Sequence, residues 1–311
     1  IELFKNLLTS YCQFHEEMSL KAITTLSSKT KLSLRCQFLP FIIELCNQVV
    51  NFDVIKCASY YVDISKTEEF VQFSTFLLEL IGRYVNSEYN YTDLVSIMEF
   101  LPKIAKTVTS QSIKSFLDAM METILPEPKV FAHKNMENLI ELIQNDASID
   151  LLPMISQIYQ QIATTIENCD YDENGAEPEI LESVEGICLC LDRIPFYSRF
   201  IPDFQTAHLD KLFGLINHLC SKNDANIRGH SIKCFGELYS VYSLSSAQNW
   251  SEFFSLFDNE DDIFILLNLL SLFKSIINPQ QDVAQMLELY RKLLNKALSV
   301  VVSAFKGDLT L

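Results

Sequence analysis

The chain has 311 residues with 24 basic and 40 acidic side chains, a formal net charge of −16, and 49% apolar residues. Such acidity repels phosphate backbones and anionic lipid, so a direct nucleic-acid partner is excluded and a protein carrying basic patches is favoured. Phenylalanine (22) and tyrosine (12) supply ample core volume, while 7 Gly, 9 Pro and the absence of sustained β-branched alternation leave helices joined by short connections.

Turn signals at Asn51–Asp53, Asn86–Tyr91, Pro126–Pro128, Asn145–Asp150, Asp170–Pro178, Ser221–Asp224, Asp258–Asp262 and Asn278–Gln281 divide the chain. They predict roughly a dozen helices of about 15 to 20 residues, none able to stand alone in water. Early in the chain, Phe38-Leu39-Pro40 begins a recurrence of two apolar residues and a proline that returns at Phe100-Leu101-Pro102 and Leu151-Leu152-Pro153. Proline fits the first turn of a helix and kinks a later one, so the shared setting suggests one structural slot for Pro40, Pro102 and Pro153. Amphipathic periods follow at Met136, Leu139, Ile140 and Ile143, then at Leu209, Leu212, Phe213, Ile216, Leu219 and Cys220. The most apolar stretch, Ile263 to Ile277, is broken by Asn268, Ser271 and Lys274 and is too short for a bilayer, so it reads as a buried helix with no membrane insertion. A last period runs through Met286, Tyr290, Leu293, Ala297 and Val300.

Nine cysteines (Cys12, Cys36, Cys46, Cys57, Cys169, Cys188, Cys190, Cys220, Cys234) are odd in number, and most sit among apolar neighbours, as buried reduced thiols do. A cytoplasmic and nuclear location is expected, with the sequons at Asn90 and Asn249 read as chance. The chain opens on Ile1 without a methionine, and a segment of a longer protein is expected.

The segment 169–178 is acidic, and Asp170, Asp172 and Asn174 with Gly175 match the opening of an EF-hand calcium loop. The match then fails: Pro178 stands at position nine and Leu181 where the closing glutamate belongs. An exposed acidic loop between helices is the better reading, with Asp170, Asp172, Glu173 and Glu177 as candidates for attracting a basic partner. Cys188 and Cys190 fall on nearly opposite sides of a helix, which suits core packing rather than zinc. No glycine-rich phosphate loop and no nucleophile motif is present, so neither cofactor nor catalysis is expected. Trp250, the only tryptophan, lies in a loop-like stretch, Ser245 to Ser251, where burial between neighbouring helix pairs is the plainer role.

A second recurrence places a basic residue after an apolar one, with a small or apolar residue three further on, at Ile227-Arg228, Leu34-Arg35 and Ile55-Lys56. The run Asp224 to Leu238, with an acidic residue in the turn and Arg228 opening the helix, resembles the second helix of a HEAT repeat. That resemblance implies an all-α fold, an α-solenoid of antiparallel helix pairs over 1–311 as one continuous body, with aspartate and arginine laddering along the stack. From Glu177 to Tyr242, a helix ending in Leu191-Asp192-Arg193-Ile194-Pro195 leads into the apolar stretch Phe196 to Phe204, then a helix Leu209–Cys220 and the Arg228 helix. This succession resembles the middle HEAT repeats of the β-karyopherins, particularly the exportins. The resemblance implies a nuclear transport receptor that binds protein cargo and the GTPase Ran, and engages nucleoporin repeats; a scaffold subunit of a stable complex is the competing reading.

Overall fold

A computed structural model describes residues 2–14, 17–29, 32–62, 68–87, 90–168, 177–242, 250–276 and 283–308, and every regular element among them is a helix. The chain divides into two compact units, Ile1–Met154 and Ile155–Leu311. The first contains α1 (Glu2–Phe14), α2 (Glu17–Lys29), α3 (Leu32–Gln48), α4 (Phe52–Ser59), α5 (Glu68–Ser87), α6 (Tyr91–Ala105), α7 (Ser110–Ile124), the one-turn α8 (Pro128–Phe131) and α9 (Lys134–Gln144). The second holds nearly all of α10 (Leu152–Glu167), then α11 (Glu177–Ser198), the one-turn α12 (Phe204–Ala207), α13 (Leu209–Leu219), α14 (Ala225–Tyr242), α15 (Trp250–Ser255), α16 (Ile263–Ile276) and α17 (Val283–Asp308). Helices are therefore more numerous and more varied in length than the turn signals alone predict.

In the first unit the helices pack in pairs, α1 with α2, α3 with α4, α5 with α6 and α7 with α9. The pairs meet through two rows: α1 lies on α3 and α5 on α7 in one, while α2, α4, α6 and α9 follow one another in the other. Apolar periodicity drives this. In α5, Phe70, Phe73, Leu77, Leu80, Ile81 and Tyr84 are buried, and a fully buried side chain of this size contributes about 1.5–3 kcal/mol relative to exposure. Buried polar groups find partners: the Ser27 hydroxyl donates to the Ile23 carbonyl at 2.7 Å and shares a 2.6 Å hydrogen bond with the fully buried Tyr61. Side-chain acceptors start three of the second-row helices. Asn51 caps α4 through the Val54 amide at 2.9 Å, Asn90 caps α6 through Thr92 at 3.0 Å, and His133 Nδ1 takes the Asn135 amide of α9 at 3.1 Å.

The second unit repeats the antiparallel pair with α13 and α14, joined by the turn Cys220–Asp224 and packed through Phe213 and Phe235 at 4.7 Å. Successive contacts then show α11, α14 and α16 running parallel. Asp192 meets His230 and Lys233 while Arg199 lies near Ser240 and Val241, and Gly229 meets Phe264 while Gly236 meets Leu272, so the pairings advance together along the chain. Gly229 and Gly236 are seven residues apart on one face of α14, which lets α16 approach closely.

Glycine replacements separate packing from propensity. A Cβ at Gly229 would lie 2.2 Å from the Phe264 ring, whereas one at Gly214 in α13 would meet nothing within 4 Å. Gly214→Ala is expected to stabilise by about 0.5–1 kcal/mol through helix propensity, and Gly229→Ala to lose stability by less than about 1 kcal/mol, because the Phe264 ring that its Cβ meets is exposed and can swing outward. Thermal melts of the two variants check both signs.

Two expectations need correction. The prolines do not share a slot: Pro40 lies in the middle of α3, Pro102 near the C-terminal end of α6, and Pro153 in the first turn of α10. Nor does the helix before Phe196 end at Pro195; α11 continues to Ser198. Buried Ile194 and Tyr197 flank the proline, and their packing holds a turn that propensity alone would break.

Candidate partner-binding face

The parallel helices α11, α14 and α16 of the second unit carry two linked sets of ion pairs. The first set is positioned by Asp224, whose carboxylate accepts the amides of Asn226 at 2.8 Å and Ile227 at 3.0 Å and so fixes the start of α14. One turn later Arg228 donates through Nε and Nη2 to Glu260 Oε2 at 3.2 and 2.9 Å, and through Nη1 to the carbonyls of Lys222 and Asn223. The other oxygen of Glu260 accepts the amides of Asp261 and Asp262, and Asp262 caps α16 through Phe264 and Ile265. Glu260 and Arg228 are 8% and 18% exposed, so this chain of bonds is largely withdrawn from water and joins the starts of α14 and α16.

Farther along, Asp192 of α11 accepts from His230 Nδ1 and Lys233 Nζ of α14, both at 2.9 Å. Burial pushes the Asp192 carboxyl up, but the hydrogen bonds and charges of His230 and Lys233 outweigh it and hold the group below the ordinary carboxylate value. A folded value below the unfolded one means stability that is present above the unfolded value and lost as pH falls through the folded one. Asp192→Asn is therefore expected to lower stability at neutral pH and to flatten the acid limb of the stability profile, read from urea midpoints across pH 3–7.

Between α14 and α16 lies a groove of about 390 Å³, lined by Lys233, Glu237 and Ser240 on one side, Ser271 and Ser275 on the other, and Arg199 beyond the end of α11. A second groove of about 450 Å³ runs between α10 and α13, with Tyr159, Leu212 and Ile201 below and the Lys211–Glu167 ion pair beside it. Tyr159 packs edge-on to Phe204 and His208 at 5.5 and 5.8 Å, and burial pushes its hydroxyl up to about 12, so it acts as a neutral hydrogen-bonding group.

The sequence-predicted residues scatter. Asp224 and Arg228 belong to this face; Pro40, Pro102 and Pro153 do not. Asp170, Asp172, Glu173 and Asn174 lie outside the described residues, and Glu177 begins α11 with its side chain likewise outside them. Trp250 opens α15 rather than standing in a loop, its side chain again outside the description. Among the described residues no group of three His, Cys, Asp or Glu is placed to hold a metal ion, and no helix is long and apolar enough to cross a membrane. Cys46, Cys57, Cys188, Cys190, Cys220 and Cys234 are buried free thiols. Burial pushes Cys46, Cys190 and Cys220 up to about 12 and Cys57 to about 11. Peptide mapping after iodoacetamide treatment is expected to find these four unmodified in the native protein and labelled in urea, because the thiolate is the nucleophile.

Glu260 and Asp192 carry the face's two ion-pair systems, and neither stands out in the sequence, since each finds its partner more than 30 residues away. Comparison with protein-family models, with curated proteins and with solved structures finds no match.

Proposed function

We propose that the chain is a non-enzymatic, protein-binding α-solenoid of HEAT-type helix pairs, and that it works as a segment of a nuclear transport receptor of the β-karyopherin kind. The observation that carries the solenoid reading is the two-row packing, in which the second helix of one pair lies on the second helix of the next. It is seen at α2, α4, α6 and α9 in the first unit, and in the second a single row of the same kind runs through α11, α14 and α16, with α13 paired to α14. Repeated stacking of this kind produces an extended surface with no single deep cavity, the kind of surface that grips another protein. The tie from Arg228 to Glu260 and the cap at Asp224 support the HEAT comparison, because they link consecutive turns of the stack as a ladder would. The net charge of −16 favours a partner with basic patches. Protein cargo, Ran, or both are the partners this reading names, with nucleoporin repeats on the opposite surface and residence in both cytoplasm and nucleus.

The test is a pull-down from cell extract with the chain as bait, run with Ran locked in its GTP form, locked in its GDP form, and omitted. Partners gained or lost only with the GTP form support the receptor; one constant partner in all three lanes replaces it with a scaffold.

A further inference from the structure

We draw no further inference here: the strongest candidate, the groove between α10 and α13 in which the buried Tyr159 lies beside the Lys211–Glu167 ion pair, carries nothing because nothing in the structure shows what covers it.

Discussion

Arg228→Ala is expected to destabilise the second unit by about 3–5 kcal/mol, the range for removing one partner of a buried ion pair. The cost arises on the side that remains: Glu260, 8% exposed, loses both guanidinium bonds, and the carbonyls of Lys222 and Asn223 lose the Nη1 donor that closes the turn. Arg228→Met with Glu260→Met removes both charges together and is expected to recover much of that loss, so a double-mutant cycle isolates the pair from its desolvation. Urea unfolding combined with hydrogen exchange of peptides from α13 to α16 is the suitable readout, because stacked helices need not unfold all at once. A loss under about 1 kcal/mol for the single variant would show that the turn is held by Asp224 and Asp262 alone.

Phe235→Ala is expected to cost a similar 3–5 kcal/mol by a different route. Its ring is fully buried between Phe213 at 4.7 Å and a stacked Phe253 at 5.5 Å, so truncation opens a cavity shared by α13, α14 and α15. Phe235→Leu keeps most of the volume and should recover more than half of the loss. The two substitutions also predict different footprints: loss of Arg228 frees the turns before α14 and α16, while loss of Phe235 loosens the helix interiors. Exchange protection in the peptide spanning Lys222–Arg228 tells them apart.

Which parts of this structure can be read from the sequence depends on distance along the chain. The apolar run Ile263 to Ile277 is observed as α16, Ile263–Ile276, and Asp224 sits where a capping residue before an amphipathic run should. These are local patterns, fixed by one turn of helix. Arg228 is visible as a basic residue opening a helix, yet its partner Glu260 is not, because the pairing depends on the axial register between two helices. Pro195 misleads for the opposite reason: its local preference is to end a helix, and burial of Ile194 and Tyr197 overrides it. Three similar proline triplets misled as well, since identical neighbours do not imply identical depth along a helix. On α17 the period through Leu293 and Ala297 captures the buried stripe, while Leu287, Leu294, Leu298 and Val301 form a second stripe that a search for one face passes over.

Gly229 has a mechanical consequence. The notch it leaves in α14 is filled by the ring of Phe264, with Asn268 one turn on donating to the Gly229 carbonyl at 3.0 Å and Gly236 two turns along seating Leu272. Shifting α16 by one helical turn would set that ring against the long side chain at Lys233 and strand the amide, so the two helices have a single indexed alignment. Under load they should part in one step, as a key leaves a lock, and not creep past each other turn by turn. An insertion of one residue in either helix would turn the notch about 100° away from its key.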